Sequence, residues 1–207
     1  MAGRRVCRKC HEHLVERTPI NVPVIWVIGG PGSGKGTQCD RIAEEYGFDH
    51  ISTGHLLSRQ MSNRSNRSAV LLDIVGSGKL VPDEVMMDYL KVEIYKSLQT
   101  AKGIIIDGFP CTKKQGILCE KMIGPPDIIF FLDAPLKVLT SRILNRARES
   151  GRIDDNEDSA HNRIQIYEDY KDDLLQEFKS KLQLIDADRT PDEVFYDIKL
   201  HLSKLVE

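Results

Sequence analysis

Apolar positions in this chain fall into short unbroken runs separated by stretches of helical period. Val24 to Ile28 form one such run, Ile104 to Ile106 a second, and Ile128 to Leu132 a third. A run with no polar interruption suits a strand buried on both faces, as in a parallel sheet covered by helices. These runs predict strands over 24–28, 103–107 and 127–133, and weaker signals add 49–52 and 181–186. Helices are expected over 37–46, 82–98, 135–148, 159–179 and 191–206, with a further apolar-faced one carrying Ala69, Val70, Leu72, Ile74 and Val75. Gly47 stops the first helix, Gly76-Ser77-Gly78-Lys79 breaks the apolar-faced one, and Pro82 opens the next. Thr53 is expected to begin a helix, with its own side chain as the cap. Five strands alternating with helices imply a three-layer α/β fold around a parallel sheet, and no internal repeat is visible.

The 207 residues suffice for one domain with a buried core. A net charge of −2 gives no global attraction to nucleic acid or anionic membrane, so any phosphate must be held by local clusters of Lys and Arg. No apolar stretch is long enough to span a membrane. Five cysteines (Cys7, Cys10, Cys39, Cys111, Cys119) without framework spacing suggest reduced thiols in the cytoplasm. No coiled-coil heptads appear, so a monomer is expected.

Residues 1–21 are basic and polar without periodicity and read as a flexible extension ahead of a domain over 22–207. Cys7-Arg8-Lys9-Cys10-His11 fits the haem-attachment pattern, and Cys7, Cys10, His11 and His13 could be read as zinc ligands. Haem loading requires export and zinc a second ligand pair, so a plain tail is the better reading. The Arg-rich start resembles a mitochondrial presequence, which Glu12 and Glu16 oppose.

Gly29 and the segment Gly30-Pro31-Gly32-Ser33-Gly34-Lys35-Gly36-Thr37 follow a buried strand and open a helix. Glycines let successive backbone N–H groups converge on phosphate oxygens, and the helix aims its positive end at the same anion. Lys35 adds a point charge for terminal phosphates. In the general P-loop, Ser or Thr follows the lysine directly; here Gly36 intervenes before Thr37.

This segment resembles the P-loop of nucleoside monophosphate kinases, the adenylate kinases in particular. The likeness extends through His50-Ile-Ser-Thr-Gly-His-Leu-Leu57, Gly78-Lys-Leu-Val-Pro82, Asp107-Gly-Phe-Pro110 and Ser150-Gly-Arg-Ile-Asp-Asp-Asn156, in order, over about residues 24–205. It implies a P-loop nucleoside triphosphate hydrolase-like fold with a helical monophosphate-binding insertion (about 53–82) and a short lid (about 146–156). It also implies transfer of the terminal phosphoryl group of ATP to a nucleoside monophosphate with Mg, AMP being favoured over UMP or CMP. Lys35 and Arg142, Arg146, Arg152 and Arg163 match its catalytic cations, with Arg142 also on ATP and Arg152 and Arg163 also on the acceptor. Asp107 matches the carboxylate that holds magnesium through water, and Asp154 and Asp155 match the lid pair. Thr53, Leu80, Val81, Gly108 and Gln115 match the acceptor pocket, where a glutamine amide suits an adenine edge.

Two positions depart from the family. Arginines that grip the acceptor phosphate are replaced by Ser58 and Cys111, and His55 replaces an acidic residue. A hydrogen bond to a charged group contributes about 1.5–3 kcal/mol, so losing two weakens the grip roughly 10²- to 10⁴-fold. Lys113 and Lys114 are candidates to restore charge around Cys111, and nearby lysines favour its thiolate. The departures leave three readings open: an adenylate kinase with weak affinity for AMP, a kinase for another acceptor, and an ATP-binding pseudoenzyme.

Overall fold

The computed structural model describes residues 20–62, 66–150 and 156–206. Strands β1 (Val24–Gly29), β2 (Asp49–Ser52), β3 (Ile104–Asp107), β4 (Ile128–Asp133) and β5 (Leu182–Asp186) form one sheet in the order β2-β3-β1-β4-β5. Every pairing is parallel, with Trp26 opposite Ile106 and Ile129, and Ser52 opposite Asp107. Among the described residues the α-helices are α1 (Lys35–Tyr46), α2 (Thr53–Met61), α3 (Asn66–Gly76), α4 (Asp83–Ser97), α5 (Lys113–Ile123), α6 (Leu136–Ser150), α7 (Glu157–Glu177) and α8 (Pro191–Val206). The expected three-layer α/β fold is the one observed.

Alternation along the strands divides the core in two. Val24, Trp26, Ile28, Ile104, Ile106, Ile129 and Phe131 face α4, α5 and α7, where Leu90, Ile94, Cys119 and Leu174 meet them. Ile25, Val27, Ile105, Phe130 and Leu132 face the other way, onto Cys39 and Ile42 of α1, Leu139 of α6 and Ile198 and Leu202 of α8. Burying one large apolar side chain contributes about 1.5–3 kcal/mol, against under about 1 kcal/mol for an exposed ion pair. The two apolar layers therefore hold the fold together.

Two local details differ from expectation. Ser52 caps α2, its Oγ accepting from His55 N at 3.4 Å, while the Thr53 hydroxyl donates instead to the Asp107 carbonyl at 2.9 Å. Placing the acceptor one residue earlier lets it reach the third helical N–H, and Thr53 is turned inward, buried against β3. The sequence pattern does not predict helix α5, because two lysines open it and Gly116 stands in its first turn; Thr112 caps it by accepting from Gln115 N at 3.2 Å.

From β1 the chain builds β2 and β3 on one side and β4 and β5 on the other. Such a reversal opens a crevice at the carboxyl ends of the strands.

Candidate active site

That crevice is a cleft of about 560 Å³. Its floor is the loop between β1 and α1. Gly29 has φ 143° and Gly32 φ 86°, and a Cβ on either would lie 2.5 or 2.6 Å from the carbonyl oxygen of Leu132 or Leu139. Backbone carbonyls cannot step aside, so only glycine lets the loop pack this closely on β4 and α6. Gly30 is similarly tight against Leu139, and the loop is closed by Ser33 N donating to Gly30 O at 3.1 Å.

Lys35 lies across the loop. Its Nζ donates to the carbonyls of Gly29 at 2.9 Å and Gly30 at 2.8 Å, and lies 3.5 Å from Ser33 Oγ. Burial pushes its pKa down, the Asp107 carboxylate opposes this, and the Arg163 cation adds to the downward push. An ammonium held under such cost gains strongly from an arriving anion.

Asp107 ends β3 buried on the cleft wall, with Gly36 beside it: a Cβ there would stand 3.7 Å from Asp107 Oδ2. The glycine after the lysine thus leaves open space next to a carboxylate. Parallel register sets Ser52 opposite Asp107, and two residues earlier on the same face His50 places Nε2 3.2 Å from Asp107 Oδ2. The other ring nitrogen, Nδ1, pairs with Asp40 Oδ1 at 2.9 Å. Burial opposes the charged ring, yet the two carboxylates overcome it and hold the His50 pKa above its ordinary value. The Asp40–His50–Asp107 chain escaped sequence reasoning. Its one signal was a histidine in the strand beside the one ending in Asp107, and the α1 contribution has no local trace.

The cleft gathers most of the anticipated residues. Pro31, Gly32, Gly34, Lys35, Gly36, Thr37, Thr53, Leu80, Val81, Asp107, Gly108, Cys111, Gln115, Arg142, Arg146 and Arg163 all line it. Arg142 also donates to the Ala187 carbonyl at 2.9 Å, joining α6 to the loop after β5. Ser58 stands exposed on α2, outside the lining. Arg152, Asp154, Asp155 and the cysteines and histidines of the first 19 residues lie outside the described residues.

Around Cys111, the structure changes the expected electrostatics. Lys113 pairs with Glu177, and Lys114 reaches Asp83 at 2.7 Å, so both lysines answer carboxylates rather than Cys111. Arg59 pairs with Glu93 of α4. The Cys111 thiol faces the cleft and donates to Gly108 O at 3.2 Å. Protein crowding its other sides pushes its pKa up, outweighing Lys35 and Arg163, so the thiol and not the thiolate is favoured. Gln115 is buried and committed: Oε1 accepts from Cys111 N at 2.8 Å and Nε2 donates to Asp83 at 3.1 Å. One amide hydrogen remains for a ligand.

The sequence profile of the family described as adenylate kinase matches residues 27–183. The chain is 38% identical to adenylate kinase isoenzyme 1 of Sus scrofa and 39% to that of Gallus gallus, in each case over 184 residues covering 88% of this chain and 95% of the relative. It is 40% identical to adenylate kinase isoenzyme 5 of Bos taurus over 177 residues, 84% of this chain and 32% of that longer one. Likeness of this extent, on a five-stranded parallel sheet with a phosphate-loop cleft at its carboxyl edge, means that the chain belongs to the adenylate kinase family of nucleoside monophosphate kinases.

Proposed function

We propose that this enzyme moves the terminal phosphoryl group of ATP to AMP, and that it binds AMP weakly. The observation that carries the reading is the sharing of one cleft by Lys35, Asp107, Arg142, Arg146 and Arg163 with the base-pocket candidates Thr53, Val81 and Gln115. In the transfer, an acceptor phosphate oxygen bonds to the terminal phosphorus as the bond to the leaving ADP oxygen breaks. Charge on the moving group spreads over its oxygens, so catalysis needs positioning and neutralisation more than covalent help. Lys35 and the loop N–H groups would hold the donor phosphates, and the arginines of α6 and α7 would face the group in flight. Arg152, Asp154 and Asp155 belong to the same reading through the lid.

Asp107 fits magnesium: it offers hard carboxylate oxygens beside the phosphate loop, where Gly36 leaves room. One carboxylate suffices for an ion that keeps most of its waters, and such an ion would supply positive charge to offset that of the donor phosphates.

Weak AMP binding rests on Ser58 and Cys111, and on the commitment of Arg59, Lys113 and Lys114 to carboxylates elsewhere. A monomer in the cytoplasm completes the proposal. The test supplies ATP and magnesium with AMP, UMP, CMP or dAMP at millimolar levels and follows diphosphate formation. Turnover with AMP that saturates only at high concentration is the expected result. Preference for a pyrimidine acceptor would overturn the base assignment. No transfer to any acceptor, with ATP binding retained in calorimetry, would make the chain a pseudoenzyme.

A further inference from the structure

Behind the phosphate loop, the wall of the cleft carries a second set of donors. Cys39 of α1, His50 of β2 and Asp107 of β3 bring a sulfur, a ring nitrogen and a carboxylate oxygen within 4.8 Å of one another. Donors of a tetrahedral zinc site, with bonds of about 2.0–2.3 Å, stand roughly 3.3–3.8 Å apart. Side-chain adjustment alone therefore closes these three around one ion. Cys39 is fully buried, and the side chains of His50 and Asp107 are only 12% and 11% exposed.

Asp40 adds an independent sign. Its carboxylate holds His50 Nδ1 at 2.9 Å, which fixes the ring and turns Nε2 toward Asp107 and the cleft. A carboxylate behind the far nitrogen of an imidazole is the usual support of a metal-binding histidine. We propose that Cys39, His50 and Asp107 form an inhibitory site for a borderline-soft divalent cation of the zinc and cobalt class, with Asp40 as its positioning residue.

The donor set decides the class of ion. Magnesium demands oxygen ligands in octahedral array, whereas sulfur and imidazole nitrogen select zinc, cobalt or cadmium. The ion enters from the cleft, which His50 and Asp107 line, and meets Cys39 behind them. Coordination releases the Cys39 thiol proton and any proton shared between His50 Nε2 and Asp107 to solvent; no electron is transferred. Inhibition follows because Asp107 would then be bound to the wrong ion, a consequence that rests on the role given to Asp107 in phosphoryl transfer. Binding itself does not rest on that role.

The test titrates the full-length protein with cobalt(II) and reads the thiolate-to-cobalt charge-transfer absorption, with zinc affinity taken from calorimetry. The expected result is a thiolate band that Cys39→Ala abolishes, with zinc binding weakened at least about a hundredfold. Asp40→Asn should weaken zinc about tenfold while keeping the band, as loss of an outer-shell partner does. Cys111→Ala and the Cys7→Ala/Cys10→Ala pair should keep both band and affinity. Absence of a thiolate band, or a band that survives Cys39→Ala and disappears with Cys111 or with Cys7 and Cys10, overturns the site. Zinc should also lower turnover over the concentration range in which it binds. Binding at Cys39 without lost turnover would overturn the inhibition and remove Asp107 from phosphoryl transfer.

Discussion

Lys35 lies across the loop between β1 and α1, where the proposed function places the donor phosphates. Its ammonium spans two loop carbonyls at 2.8 and 2.9 Å while burial depresses its pKa. Lys35→Met keeps the stem and removes the charge, so transfer should be abolished while the melting temperature stays near that of the parent. Retained steady-state turnover in the variant would remove Lys35 from the phosphate site. If the proposed acceptor site is right, Ser58→Arg with Cys111→Arg should lower the KM for AMP at least about tenfold, since a hydrogen bond to a charged group contributes about 1.5–3 kcal/mol. The Cys111 half has the firmer basis, because that side chain lines the cleft and Ser58 does not. An unchanged KM would mean the acceptor phosphate is held by other groups.

Between elements, α2 and α4 are tied by charge. Glu93 of α4 takes a hydrogen bond from Lys96 at 2.9 Å and pairs with Arg59 of α2. Lys96, with Arg59 adding to it, lowers the Glu93 pKa against the opposing effect of burial. A carboxylate with a depressed folded pKa contributes stability that is present above its unfolded value, near 4.3, and is lost as pH falls through the folded value. Glu93→Gln should cost about 0.5–1 kcal/mol at neutral pH, and the gap to the parent should close as the solution is acidified below about pH 4. Denaturant midpoints measured across that range check the sign.

A second junction is steric. At Gly78, φ is 71° and a Cβ would stand 2.6 Å from the Ser159 carbonyl of α7, next to the Asn162 Nδ2 bond to Ser77 O at 2.9 Å. Gly78→Ala should destabilise by more than about 1 kcal/mol, because neither the backbone carbonyl nor the left-handed conformation tolerates a methyl group. Calorimetric melting of the two proteins decides it; equal stability would mean this turn can move away from α7.

For the whole molecule, the layer between sheet and α7 carries the largest single wager. Trp26, fully buried at the centre of the sheet, meets the edge of Phe178 at a centroid distance of 5.4 Å. Phe178 also packs on Gly116 of α5, where a Cβ would lie 2.5 Å from its ring. Phe178→Ala should cost about 3–5 kcal/mol through the cavity it leaves. Fluorescence of the sole tryptophan, Trp26, follows the unfolding directly.

The fold was legible where local physics and tertiary packing agree. Short unbroken apolar runs such as 128–132, rich in Ile and Phe, suit strands covered on both faces, and a glycine-rich turn between such a run and a helix needs no distant partner to cradle phosphate. Those features belong to a few neighbouring residues, so the order of residues alone determined the parallel sheet and the phosphate loop, while the departures at Ser58 and Cys111 show only against the family resemblance. What side chains do across the fold was decided only in three dimensions. The sequence shows Lys113 and Lys114 close to Cys111, yet Glu177 of α7 and Asp83 of α4 claim them. Gln115 is spoken for by Asp83, and His50 is drawn between Asp40 and Asp107, which come from α1 and β3. Charges respond to whatever lies within a few ångströms, and residues tens of positions apart meet at that range only once the sheet has brought its carboxyl ends together.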